Sequence, residues 1–217
     1  MDLPPVETRA VVTPIHGRVL VRRTRGAARG VLVGFHGYTE NAAIQMKRME
    51  TIPGADRWTL VAVQALHRFY RGRSHDVIAS WMTREDRDDA IADNIGYVDN
   101  ALRGIERPAS ALIVYAGFSQ GVAMAYRAAL RGAARAAAIV AVGGDVPPEL
   151  LQDQSLTFPP VFLARGALDA LYTTEKHDAD IGALRSRGAG VYPHVYEAAH
   201  EWPPALNLAI GAWLARR

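Results

Sequence analysis

The chain has no cysteine among its 217 residues. That removes disulfide bridges, thiolate metal sites and a cysteine nucleophile together. Lysine is nearly absent too: Lys47 and Lys176 are alone, so the formal charge of +3 rests on arginine. The arginine-rich stretches at 18–29 and 68–73 read as a solvated strand edge and a loop rather than a nucleic-acid surface. Long apolar runs are missing as well. The longest, from Ala136 to Val142, is far too short to cross a bilayer, so no membrane span is expected. The segment from Met1 to Glu7 carries acids and two prolines and lacks the apolar core of a signal peptide, which makes cytoplasmic localisation the expectation. No Gly-x-Gly-x-x-Gly or P-loop run occurs, which argues against a nucleotide cofactor. His200-Glu201 is not followed by the second histidine of a zincin helix, because position 204 is proline. Neither a metal nor a cofactor is expected.

What remains is the composition of an ordinary globular chain, 49% hydrophobic and 22% charged, and its length suits one domain spanning 1–217. The segments 9–13 and 18–23 alternate and read as two strands joined by a tight loop, an antiparallel edge. From Gly30 onward the strands become continuous apolar runs, at 31–35, 60–63, 111–115, 138–142 and 161–164. Runs buried on both faces suit a parallel sheet covered by helices. Helices are expected between and after them at 41–50, 86–103, 122–131, 173–187 and 205–215. A last strand at 191–196 contains Pro193, which favours a sheet edge. The fold class is therefore α/β: a mostly parallel twisted sheet, helices on both faces, an antiparallel N-terminal edge, and no room for a large cap between Val142 and Pro160.

Within this pattern, Gly117-Phe118-Ser119-Gln120-Gly121 joins a strand to a helix. Serine there can cap the helix, its oxygen accepting a first-turn N–H. The flanking glycines offer a second reading, the Gly-x-Ser-x-Gly elbow that lifts a nucleophilic hydroxyl above a sheet. A nucleophilic serine needs a base and an acid to orient that base. Of seven histidines, His200 lies in a turn after the last strand, at the sheet end where open α/β sheets place their sites. His36 follows the first buried strand and His194 lies within the last one. His16, His67, His75 and His177 fall in loops or exposed helix ends. Asp169 follows the strand at 161–164, and Asp145 follows the strand before it. Either aspartate could be an ordinary turn residue. The order Ser119, Asp169, His200 is the triad order of α/β-hydrolases.

Four pieces in sequence, Gly34 to Asn41, Gly117 to Gly121, Gly166 to Asp169 and His200-Glu201-Trp202, resemble the α/β-hydrolases, and within them the small phospholipase/carboxylesterase and acyl-thioesterase group. The resemblance implies Ser119, Asp169 and His200 as catalytic residues and an oxyanion hole from the backbone N–H groups of Tyr38 and Gln120. It also makes Ser80-Trp81-Met82-Thr83 look like that group's tryptophan-containing substrate loop. Three positions depart from its usual pattern: Thr39 and Ala199 stand where glycine is common, and Arg165 where histidine is common.

The expected function is a serine esterase acting on a small-molecule carboxylic ester or thioester of small to medium acyl chain, in a surface groove walled by Trp81, Met82, Tyr172 and Trp202. Each of those four also reads as core filling. A non-catalytic binding protein on the same fold and a peptidase remain the alternatives. The acyl group, the alcohol group and the oligomeric state, a homodimer included, are not named by the sequence.

Overall fold

The structure, a computed structural model, describes residues 4–217. The absence of a signal core was read partly from residues 1–3, which lie outside the described residues. Seven strands form one sheet in the order β1 (Arg18–Arg22), β3 (Trp58–Gln64), β2 (Gly30–Phe35), β6 (Leu112–Phe118), β7 (Ala138–Val142), β8 (Val161–Gly166) and β9 (Val191–Tyr196). Only β1 runs antiparallel to its neighbour. The strand containing Pro193 is an outer one, as a residue without an N–H requires.

The strand alternation sorts the core into two layers, because successive side chains point to opposite faces. Val31, Val33, Phe35, Tyr115, Ile139 and Leu163 face one layer, closed by α2 (Arg87–Arg103), α3 (Gln120–Arg131) and α5 (Thr174–Ser186). Leu32, Leu60, Val114, Val140 and Phe162 face the other, closed by α1 (Ala42–Glu50) and α6 (Leu206–Leu214). With both faces covered, β2, β3, β7 and β8 are buried along their whole length.

Two sequence expectations are corrected here. The segment 9–13 forms no strand: residues 4–17 carry no regular structure, and Val11 and Val12 are 82% and 98% exposed. Prolines at positions 4, 5 and 14 flank this segment, and with so little apolar surface to bury, nothing offsets the entropy of ordering it. The antiparallel edge is β1 alone, paired with β3. His177 is not at an exposed helix end but 3% exposed, its ring edge-on to Tyr172 at 5.9 Å.

A separate hairpin, β4 (His67–Tyr70) and β5 (Val77–Ser80), rises after β3 and carries the exposed stretch Arg68 to Arg73. The connection between β7 and β8 holds only the five-residue α4 (Pro148–Gln152). Among the described residues no helix is long and apolar enough to cross a membrane.

Candidate active site

Strand β6 ends at Phe118 and α3 begins at Gln120, so the whole change of direction falls on Ser119. Its backbone holds φ 52° and ψ −121°, a region that side chains strongly disfavour. The turn is tight enough to need both glycines. A Cβ on Gly117 would stand 2.4 Å from the Gly121 carbonyl oxygen, and one on Gly121 would stand 2.3 Å from that of Phe35. The Ser119 side chain caps nothing. Its Oγ lies instead 2.8 Å from His200 Nε2.

His200 comes from the turn after β9, and its Nδ1 lies 2.8 Å from Asp169 Oδ2. Asp169 comes from the turn after β8, and its side chain is fully buried. The second carboxylate oxygen accepts the backbone N–H groups of Leu171 and Tyr172, both at 2.9 Å, which fixes its orientation. A neutral imidazole with its proton on Nδ1 satisfies both contacts, donating to Asp169 and accepting from the Ser119 hydroxyl. The ring also packs on Phe118 at 5.2 Å. Gly166 lets the turns after β8 and β9 meet: a Cβ there would come within 2.3 Å of two carbonyl oxygens, on Ala198 and Ala199. Asp145, the competing acid, points elsewhere. It pairs with Lys176 at 3.6 Å and makes no hydrogen bond to His200.

The loop after β2 is held by Glu40, which accepts the Gly37 N–H at 2.8 Å and a two-pronged contact from Arg48 with both oxygens at 2.6 Å. Thr39 sits at φ 61°. That left-handed backbone explains why glycine suits the position. The backbone N–H groups of Tyr38 and Gln120 donate to no other group among the described residues.

The four side chains expected to wall a groove divide in two. Met82 and Tyr172 line a cavity of about 430 Å³ together with Ser119, Gln120, Val146 and Leu171. Trp81 and Trp202 do not line it. Trp81 is fully buried, edge-on to Phe35 at 5.4 Å, with its indole N–H donated to the His36 carbonyl at 2.8 Å. Trp202 packs in the opposite layer and donates to Asn207 at 2.7 Å. Both indoles are core, because the apolar faces of β2 and α6 offer more burial than an open groove does.

Other side chains near the site escaped the sequence reading. Gln120 was singled out for its backbone alone, yet its side chain ties α3 to the loop after β5, accepting the Trp81 N–H and donating to the Met82 carbonyl, each at 3.0 Å. His36 is fully buried and structural: Nδ1 faces the Gly37 carbonyl at 2.7 Å and Nε2 accepts the Ala65 N–H at 3.1 Å. Burial lowers its pKa. Behind the cavity wall, Tyr172 donates to Asp180 at 2.8 Å, and burial raises the pKa of both groups. A larger cavity of about 1100 Å³ lies at the opposite end of the sheet, at the starts of β6 and β7, and contains none of these residues. Open α/β sheets carry their sites at the carboxyl ends of the strands, where Ser119, Asp169 and His200 stand.

No protein-family model and no curated protein matches this chain. Solved structures do. Acyl-protein thioesterase 2 of Zea mays aligns at TM-score 0.71 with 21% identity, over 93% of this chain and 99% of that one. Esterase PE8 aligns at 0.69 with 24% identity, over 92% and 97%. The carboxylesterase of Bacillus cereus aligns at 0.71 with 16% identity, over 92% and 94%. With this strand order, these crossovers and these structural neighbours, the chain has the α/β-hydrolase fold.

Proposed function

We propose that this single-domain protein is a serine hydrolase that cleaves small to medium acyl esters or thioesters through an acyl-enzyme intermediate. The observation that carries the reading is the unbroken relay of two 2.8 Å contacts from Ser119 through His200 to Asp169. That its structural neighbours include a thioesterase, an esterase and a carboxylesterase adds support.

In this mechanism Ser119 Oγ attacks the acyl carbon while His200 Nε2 takes its proton, and Asp169 offsets the charge that develops on the ring. The carbonyl oxygen becomes an oxyanion, to which the free N–H groups of Tyr38 and Gln120 donate. Collapse of this intermediate breaks the bond to the alcohol or thiol, which leaves with the proton from His200. Water then attacks the acyl-Ser119 ester, giving its proton to His200; collapse of the second intermediate breaks the bond to Ser119 Oγ, which takes that proton back from His200 as the acid is released. Strain at Ser119 is tolerated because it holds the hydroxyl clear of the helix and within reach of the base.

The test is labelling by a fluorophosphonate probe together with turnover of p-nitrophenyl esters. Ser119→Ala is expected to abolish labelling and to leave at most the roughly 10³- to 10⁴-fold acceleration over water that binding and oxyanion donors supply alone. Asp169→Asn should cost far more than Asp145→Asn. Labelling of another serine, or the reverse ranking of the two aspartates, overturns the assignment.

A further inference from the structure

The cavity beside Ser119 contains a group that an apolar acyl pocket does not need. Arg127, on α3, lines it, yet its side chain is only 2% exposed. Nε and Nη2 both donate to Glu149 Oε1, at 2.9 and 2.7 Å. Nη1 reaches only the Met82 sulfur, at 3.4 Å. A thioether is a weak acceptor, and a guanidinium carries five N–H donors. Two of the five therefore meet no acceptor among the described residues, and a third meets only sulfur. Buried donors without good acceptors are costly, so this cation is kept at a cost that an apolar residue of similar size would avoid.

The surrounding charges do not neutralise it fully. Glu149 is shared with a second cavity-lining guanidinium, Arg87, at 3.4 Å. Lys176 and Asp145, both in the lining, pair with each other at 3.6 Å. Asp180, behind Tyr172, is bound by the Tyr172 hydroxyl and the Val146 N–H. Neither aspartate bonds Arg127.

Resting on the esterase reading, we propose that this cavity is an acyl subsite for a chain that ends in a carboxylate, so that the substrate is a half-ester or half-thioester of a dicarboxylic acid. The anion would accept the unspent N–H groups of Arg127, and Val146, Leu171 and Tyr172 would pack along the methylenes. The cavity takes the acyl part rather than the leaving group because the leaving group must collect its proton at His200 Nε2, and His200 is not in the cavity wall. Length follows from the helix. Eight residues separate Ser119 from Arg127, about 12 Å of axial rise, and a long side chain leans back toward the helix N-terminus, leaving on the order of 6 to 8 Å to span. Three or four methylenes between the two carbonyl carbons, a glutaryl or adipyl chain, fill that gap.

The experiment compares p-nitrophenyl hydrogen adipate with the neutral p-nitrophenyl hexanoate. Wild type is expected to favour the half-ester by about tenfold or more in kcat/KM, the range a charged hydrogen bond supplies. The preference should shrink with added salt and disappear in Arg127→Met. If removing the buried guanidinium prevents folding, Arg87→Gln replaces it, a half-buried position at which the ratio should fall severalfold. Where wild type turns over p-nitrophenyl esters, equal or better turnover of the neutral one overturns the proposal. A binding arm separates it from the esterase reading: Ser119→Ala is titrated with monoethyl adipate and with diethyl adipate. Tighter binding of the monoester, lost with Arg127, upholds the subsite even if neither p-nitrophenyl ester is turned over, an outcome that sinks the esterase reading alone. Equal binding overturns the subsite.

Discussion

The side chain of Gln120 clamps the backbone of Trp81: its Oε1 accepts the Trp81 N–H at 3.0 Å while its Nε2 donates to the next carbonyl, that of Met82, at 3.0 Å. One residue thus presents its own backbone N–H beside Ser119 and fixes the loop that supplies a cavity wall. These two bonds tie the elbow to the loop after β5.

Gln120→Glu tests this coupling. The substitution keeps an acceptor for the Trp81 N–H but turns a second oxygen toward the Met82 carbonyl, replacing attraction by repulsion. Gln120→Ala leaves the Trp81 N–H without its acceptor, at a cost of about 1 to 3 kcal/mol. Both variants are expected to lower Tm and to reduce kcat/KM, with probe labelling of Ser119 slowed rather than lost. Wild-type melting and turnover in both variants would dissolve the clamp.

Trp81→Ala should behave as a core mutant. Its ring is fully buried between Phe35 and His36, so truncation opens a large cavity and frees the His36 carbonyl, costing about 3 to 5 kcal/mol. Denaturant unfolding reads that loss directly. The chain-length preference of the residual activity should stay as in wild type, whereas Met82→Ala, at the cavity wall, should shift it. A changed preference with undiminished stability would return Trp81 to the groove.

The legibility of the sequence followed burial. Strands covered on both faces, such as β7 and β8, announce themselves as unbroken apolar runs, and the turn at Ser119 is marked by glycines that sterics make obligatory. The exposed strand β4 has no such run, so the β4–β5 hairpin went unread. The segment 9–13 shows the reverse error: it alternates like a strand, but alternation has no force without a partner edge and a face to bury. Residues whose role depends on distant partners were opaque. Nothing local says that Arg127 is buried on Glu149, or that Trp81 points inward while its neighbour Met82 lines the cavity.

His36 predicts how stability varies with pH. Its neutral form satisfies both ring nitrogens, and a proton on Nε2 would face the Ala65 N–H head-on. Burial lowers its folded pKa, and it also lowers that of His177. In the unfolded chain both titrate near the ordinary histidine value of 6.5. Below that pH the unfolded state therefore binds more protons than the folded one, so stability is full above about 6.5 and declines as pH falls toward the depressed folded values. Urea unfolding between pH 5 and 8 should show this slope with proton uptake on unfolding, and His36→Gln should reduce it. A slope of the opposite sign, or one indifferent to His36, would contradict the buried neutral tautomer.

Thr39 is the position where relief of strain is expected to stabilise the fold. It holds φ 61° while its N–H donates to the Ala79 carbonyl at 3.1 Å and its own carbonyl accepts from Arg71 at 3.0 Å, so the loop cannot relax without breaking from β5. A left-handed backbone costs a side chain roughly 1 to 2 kcal/mol, and more crowding comes with a β-branched one. Glycine removes that cost but returns roughly 0.5 to 1 kcal/mol in unfolded-state entropy. The net expectation for Thr39→Gly is a gain of up to about 1 kcal/mol. Thr39→Val, which keeps the branch, should gain nothing, and Thr39→Ala should fall between. Denaturation midpoints of the three variants decide it: a glycine variant less stable than wild type would mean that the threonine side chain contributes more than its backbone strain takes away.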